Sequence, residues 1–149
     1  MEINIKEAFS LLFCKSNPTA YQALQDLQKA SEESDQVYPY MDQLAGMLDS
    51  ENSYIRTRGL TLIAYNARWD SNHKVDELLD AYLRHITDPK PVTARQCIRL
   101  LPMLANDKPE LKQDIVSALL KADPSRYSGS MRPLVQADIQ KALSEISAL

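Results

Sequence analysis

Glycine, cysteine and histidine are all scarce in this sequence, which contains three, two and two of them among 149 residues. Without glycine-rich segments, the chain has neither a phosphate-binding loop nor a dinucleotide-binding fingerprint. Cys14 and Cys97 lie far apart without a paired spacing, and both fall on apolar helix faces, so we predict buried, reduced thiols. His73 and His85 form no metal-binding spacing with a second ligand. We therefore predict that the protein holds neither a metal nor a cofactor.

Positive charge is also limited, because 17 lysines and arginines face 20 acidic residues and the net charge is -3. Nucleic-acid binding depends mainly on Lys and Arg neutralising phosphates, so this balance argues against nucleic acid as the partner. No stretch reaches the roughly 20 apolar residues that span a membrane. Residues 1–15 carry Glu2 and Glu7 where a signal peptide has a basic start. We expect a cytoplasmic protein without membrane contact.

A repeat of 38 residues organises the sequence. It relates Ile55, Thr93 and Met131; Gly59, Cys97 and Val135; and Ile63, Leu101 and Ile139. A second register about eleven residues upstream relates Leu44, Tyr82 and Leu120. Each unit therefore contains two apolar helices joined by a short loop. A two-helix unit of about 40 residues is typical of HEAT or armadillo repeats, whose hairpins bury their faces by stacking on neighbours.

The pattern predicts an all-α fold, an α-α superhelix of about four HEAT-like helical hairpins. We place the hairpins at about residues 4–34, 35–67, 73–105 and 109–147 of one domain covering 1–149. Asn17 and Ser53 are the predicted N-caps of two second helices. Gly59 costs about 1 kcal/mol inside a helix relative to alanine, so we expect another helix to approach it closely. Pro102 should kink its helix or mark the last turn.

Residues of the second hairpin carry a known family pattern. An acidic interhelix turn at Leu48-Asp49 is followed by Ile55-Arg56, then by Gly59 and Ile63. This order resembles the HEAT repeat, in which a Val-Arg pair opens the second helix and a small and then an aliphatic residue follow. The third hairpin keeps Asp88-Pro89 but has Thr93-Ala94 at the pair, and the fourth has Met131-Arg132.

The chain as a whole is similar to a HEAT-repeat-like, armadillo-type family of small bacterial proteins of unknown function. The similarity is clearest at Val37-Tyr38-Pro39-Tyr40, Asn52-Ser53-Tyr54-Ile55-Arg56 and Ala67-Arg68-Trp69-Asp70. Members are sometimes labelled as related to iron-sulfur assembly. The sequence lacks the Cys and His clusters that such chemistry uses.

Two patterns of catalytic residues occur, and we interpret both as structural. Cys97 follows His85 and Asp88, but its repeat position is occupied elsewhere by Gly59 and Val135, which indicates a core site. The run Ser71-Asn72-His73-Lys74 matches the Ser-x-x-Lys pattern of penicillin-binding enzymes without their other motifs. Ser71 or Asn72 is better interpreted as a helix cap. We predict that the protein is not an enzyme.

The outward faces of the second helices carry the candidate binding residues. These helices line the concave side of HEAT-type solenoids, and the candidates on them are Arg58, Tyr65, Arg68, Trp69, Arg95 and Arg99. Two interpretations remain open: a solvated surface with uneven charge, or an inner groove that selects an acidic peptide or a phosphate backbone. Trp69 could close the interhelix loop over the core or serve as an exposed anchor for a partner.

From these observations we predict a non-enzymatic protein-binding or scaffolding module that uses a concave helix-lined surface, with a protein or peptide as partner. The alternative is a nucleic-acid-associated HEAT-like protein related to the DNA alkylation repair glycosylases. Those enzymes rely on a longer, strongly basic groove. A hydrolase or transferase is the third class considered, and no motif in the sequence favours it.

Overall fold

Between residues 3 and 149, the part that the computed structural model describes, the chain forms eight α-helices. They are α1 (Ile5–Leu11), α2 (Asn17–Glu33), α3 (Met41–Met47), α4 (Ser53–Asn66), α5 (Lys74–Leu83), α6 (Pro91–Asp107), α7 (Lys112–Lys121) and α8 (Met131–Ser147). Short 3-10 segments extend or connect them, and no strand occurs in this range. Within it, no helix is both long enough and apolar enough to span a bilayer. Met1 and Glu2, which entered the argument about the N-terminus, lie outside the described residues.

This arrangement confirms the predicted all-α fold of helical hairpins. Each predicted hairpin contains two consecutive helices, and only α6 runs past its predicted end, to Asp107. The N-caps of α2 and α4 lie one residue earlier than predicted. Ser16 Oγ accepts from the Thr19 N–H at 3.4 Å, and Asn52 Oδ1 accepts from the Tyr54 N–H at 2.9 Å. Asn17 and Ser53 are instead the first helical residues.

The chain divides into two compact units, Met1–Lys74 and Val75–Leu149, here called the N-terminal and C-terminal units. In the N-terminal unit, α4 packs against both α2 and α3. Its core contains the buried side chains of Leu12, Leu27, Met41, Leu44, Leu62 and Ile63. In the C-terminal unit, α6 packs against α7 and most extensively against α8. Its core contains Tyr82, Cys97, Ile98, Leu101, Leu104, Ile115 and Val135.

Two of the three residue sets of the main repeat register match the observed burial, whereas in the first set Thr93 is buried but Ile55 and Met131 are only partly buried. Gly59, Cys97 and Val135 are all buried, on α4, α6 and α8, and so are their companions Ile63, Leu101 and Ile139. These positions were predicted to be core sites of the second helices, and their burial is confirmed.

The upstream register is wrong at Leu120. Leu44 and Tyr82 are fully buried, but Leu120 is 69% exposed. On α7 the buried side chains are Ile115 and Leu119, which are four residues apart and share one face. Leu120 is rotated away from that face by about 100°, the angle between neighbouring residues of a helix.

Close packing of α3 against α4 explains the glycine inside α4. A Cβ atom added at Gly59 would lie 2.9 Å from Met47 Cβ and 3.1 Å from the Leu44 carbonyl oxygen. Both atoms are fixed to the backbone of α3, so they cannot rotate away. The expectation of a close neighbouring helix is confirmed.

Pro102 does not end its helix, because α6 continues for another turn to Asp107. Proline lacks the N–H that would bond to the Ile98 carbonyl, which weakens the helix at this point. The buried face on both sides of it, formed by Leu101, Leu104 and Ala105, holds the last turn in place.

We expect Gly59→Ala to destabilise the protein by about 1 to 3 kcal/mol, because the new methyl group overpacks against α3. Gly46 is a matched control, since it also lies in a helix and a Cβ added there would meet no atom within 4 Å. Gly46→Ala should stabilise the protein by about 0.5 to 1 kcal/mol, because alanine is the better helix former. Urea unfolding measures both effects, and a stabilising Gly59→Ala would contradict the close contact.

Leu101→Ala should lower the free energy of unfolding by about 2 to 5 kcal/mol, because it opens a cavity at a fully buried position. Leu120→Ala makes the same chemical change on an exposed surface and should cost no more than about 0.5 kcal/mol. Chemical denaturation of the two variants tests the contrast. Similar losses would mean that the core is not organised around Leu101.

Candidate protein-binding surface

The arginine of the family pattern caps the turn that precedes its own helix. Arg56 Nη1 donates to the carbonyl oxygens of Ser50 at 3.0 Å and Glu51 at 3.1 Å. Arg132 does the same in the fourth hairpin, donating to the carbonyls of Tyr127 at 2.9 Å and Ser125 at 3.0 Å. The guanidinium groups of Arg56 and Arg132 are therefore engaged in hydrogen bonds to the backbone.

The third hairpin has Ala94 at this repeat position, and the next turn along the chain supplies the donors. Arg126 Nη1 donates to the Thr87 carbonyl at 2.6 Å, and the Tyr127 hydroxyl donates to the Asp88 carbonyl. Burial of the Tyr127 hydroxyl raises its pKa to about 12, so this donor keeps its proton at neutral pH.

Arg58 belongs to the same structural system, which corrects its prediction as a surface residue. It is buried, with 6% of the residue exposed. Its Nη1 donates to the Leu12 carbonyl at 2.8 Å, and its Nη2 donates to Asn17 Oδ1 at 3.3 Å. The guanidinium carbon also lies 5.7 Å from the centroid of the Tyr54 ring. Arg58 thus caps the end of α1 and is not available to a ligand.

Trp69 connects the end of α4 to α2. Its Nε1 donates to the Ser31 carbonyl at 2.6 Å, and the Asn66 side chain donates to Ser31 Oγ at 3.0 Å. Ser31 and Asn66 are fully buried, while Trp69 is half-buried. This contact favours the interpretation in which Trp69 closes the loop over the core.

The other two candidates of the N-terminal unit remain at its surface. Arg68 is exposed, and its guanidinium carbon lies 6.0 Å from the centroid of the half-buried Tyr65 ring. This spacing is at the limit of a cation–π contact.

Asp70, and not Ser71 or Asn72, caps the start of α5. Its Oδ1 accepts from the Lys74 N–H at 2.9 Å and from the Tyr38 hydroxyl at 2.7 Å. The carboxylate is buried, so both bonds satisfy an otherwise costly buried charge. The run Ser71-Asn72-His73-Lys74 therefore directly follows Asp70, the residue that caps α5.

A groove of about 460 Å³ runs between α6 and α8 of the C-terminal unit. We call it the α6–α8 groove, and it is lined by Arg95, Arg99, Pro102, Asp138, Lys141, Ala142 and Glu145. It contains two of the predicted site residues, Arg95 and Arg99. Asp138, Ala142 and Glu145 were not predicted to belong to the site, although positions 138, 141, 142 and 145 have the spacing of a single helix face.

The charged side chains of this groove differ in whether they form ion pairs and in how exposed those pairs are. Arg95 Nε lies 2.6 Å from Asp138 Oδ2, and the two side chains are only 23% and 12% exposed. Lys141 and Glu145 form an exposed pair with a distance of 3.9 Å. Arg99 is exposed and has no hydrogen bond or ion pair with residues 3–149.

Cys97, His85 and Asp88 do not form a nucleophilic site. Cys97 is fully buried, and its thiol donates to the Tyr82 carbonyl with an S···O distance of 3.7 Å. Burial raises the pKa of the Cys97 thiol far above its ordinary value, which keeps it protonated and unreactive. His85 Nδ1 lies 2.6 Å from Asp88 Oδ2, whose carboxylate also accepts from the Lys90 N–H. The core interpretation of Cys97 is confirmed, whereas Cys14, also predicted to be buried on a helix face, lies beyond the end of α1 and is only partly buried.

Comparison with known proteins identifies one family. A family model described as a HEAT repeat domain matches residues 2–143. Neither the curated proteins nor the solved structures gave a significant match to the chain.

Arg58→Met should lower the free energy of unfolding by about 1.5 to 3 kcal/mol, because it removes a charged donor from a buried carbonyl. Arg99→Met, a matched change at an exposed arginine, should stay within about 0.5 kcal/mol of the wild type. Denaturant unfolding at neutral pH measures both. Equal stabilities would contradict the structural role of Arg58.

Proposed function

Because the chain belongs to the HEAT repeat family, we propose that it is a protein-binding or scaffolding module that acts without catalysing a reaction. Stacked helical repeats present extended surfaces to partners, and recognition is their general use. The proposal places the partner on the second helices of the hairpins, as expected from the sequence.

The observation that carries the proposal is the α6–α8 groove. It is concave, it lies between two second helices, and it combines an exposed arginine with the partly exposed apolar surface of Pro102. Arginine is among the residue types that contribute most to protein interfaces. Tyr65 and Arg68 offer a smaller candidate surface in the N-terminal unit.

Binding without catalysis is supported by how the reactive side chains are used. The Cys97 thiol is buried and protonated, and the His85 ring is held by Asp88.

The iron-sulfur association does not fit these residues either. A cluster needs several cysteine or histidine ligands around one site, and the Cys97 thiol already donates to the Tyr82 carbonyl inside the core. The proposal therefore includes no cluster.

Photo-crosslinking in cells that express the full chain tests the proposed function. The photoreactive residue benzoylphenylalanine replaces Pro102 or Glu145 in the groove, or Gln113 on the exposed face of α7 as a control. We expect both groove positions to yield a crosslinked product of the same defined partner, and position 113 to yield none. Identical products from all three positions, or none from the groove, would contradict the proposal.

A further inference from the structure

We propose, building on the proposed function, that the α6–α8 groove recognises an acidic segment of another protein, with Arg99 and Lys141 as the residues that bind its carboxylates. The proposal concerns the chemistry of the partner.

The charge that remains available in the groove is positive on balance. Arg95 and Asp138 neutralise each other at 2.6 Å in a largely buried pair. Lys141 and Glu145 are 3.9 Å apart and well exposed, and such pairs contribute little and exchange readily with solvent. Arg99 has no ion pair with residues 3–149. A ligand therefore meets one unpaired arginine and a lysine that is only weakly paired with Glu145.

These two cations sit on opposite sides of the groove, Arg99 on α6 and Lys141 on α8. A guanidinium offers a planar pair of donors that matches a carboxylate, and an ammonium adds a second point of attachment. The partly exposed Pro102 also lines the groove and gives apolar surface to the methylene groups of a bound glutamate. The groove is thus suited to acidic side chains carried on a peptide.

A nucleic-acid strand is a poorer fit to the same groove. Its phosphates form a continuous row of negative charge, which proteins bind with rows of Lys and Arg. Here Asp138 and Glu145 stand among the three cations, and the whole chain has a net charge of -3. Separate carboxylates can avoid the two acidic groups, whereas a continuous phosphate backbone cannot.

Asp138 also competes with the ligand for Arg95. While its carboxylate lies 2.6 Å from Arg95 Nε, the arginine has little to offer a partner. Removing the negative charge of Asp138 should release Arg95 and make the groove more attractive to an anion. This gives the proposal a variant that gains affinity, an effect that a damaged fold would not produce.

Fluorescence anisotropy with the intact chain tests the inference. The probes are a fluorescein-labelled peptide of alternating glutamate and glycine, its lysine counterpart, and a single-stranded oligonucleotide of matched charge. We expect the glutamate peptide to bind, the Arg99→Glu/Lys141→Glu variant to bind it at least about tenfold more weakly, and Asp138→Asn to bind it several-fold more tightly. The control is Lys90→Glu/Lys121→Glu, which makes the same charge change at exposed lysines outside the groove and should retain most of the affinity.

Four outcomes would overturn the inference. An equal loss in the control variant would mean that only net charge matters, and tighter binding of the oligonucleotide would identify a nucleic-acid site. Self-association in sedimentation that is lost in the groove variant would make a second copy the occupant, for example through its exposed Glu32, Glu33 and Asp35. If the glutamate peptide fails to bind while crosslinking from the groove still captures a partner, the proposed function stands and only the acidic specificity is wrong.

Discussion

Hydrogen bonding of the interhelix turn carbonyls is the constraint on which both units depend. The last carbonyls of a helix have no donor within that helix, and a buried carbonyl without a donor is costly. The carbonyls of Leu12, Ser50 and Asp88, spaced at the repeat interval, accept from Arg58, Arg56 and Tyr127. In the fourth hairpin, the two carbonyls that flank Arg126, the next position in this series, accept from Arg132. In all four hairpins, therefore, turn carbonyls accept hydrogen bonds from side chains, but the donors come from different positions of the repeat.

The source of each donor alternates along the chain. The second and fourth hairpins use their own arginine, and the first and third use donors from the hairpin that follows. Borrowed donors connect the two hairpins of each unit at their turns, in addition to the apolar packing between helices. A single helical hairpin buries too little apolar surface to be stable alone, so such connections matter. The division of the chain into two units of two hairpins agrees with this pairing.

The sequence predicted the fold better than the candidate site, for a physical reason. Burial at Gly59, Leu101 and Val135 follows from a fixed interval, because equal spacing places residues at the same phase of equivalent helices. The predicted burial of Leu120 was wrong because the repeat interval does not fix the rotation of α7 about its own axis. Sequence spacing also could not distinguish structural arginines from surface arginines. A long side chain can bond to a carbonyl 46 residues away, as Arg58 does with Leu12. The role of Asp138 could not be predicted from the sequence, because it depends on the distance between Asp138 and Arg95. Only the packing of α6 against α8 determines that distance.

The three arginines at the centre of the predicted site thus have three different roles. Arg58 caps a turn, Arg95 is neutralised by Asp138, and Arg99 is exposed without an ion pair to residues 3–149. Counting basic residues on a face therefore overstates the charge that a partner meets. The available cations, Arg99 and Lys141, are on different helices, so their separation is set by the core contacts between α6 and α8. Cys97, Leu101, Val135 and Ile139 are the buried repeat positions of these helices. A change in their volume should therefore shift the geometry of the groove as well as the stability, which couples the repeat core to the α6–α8 groove.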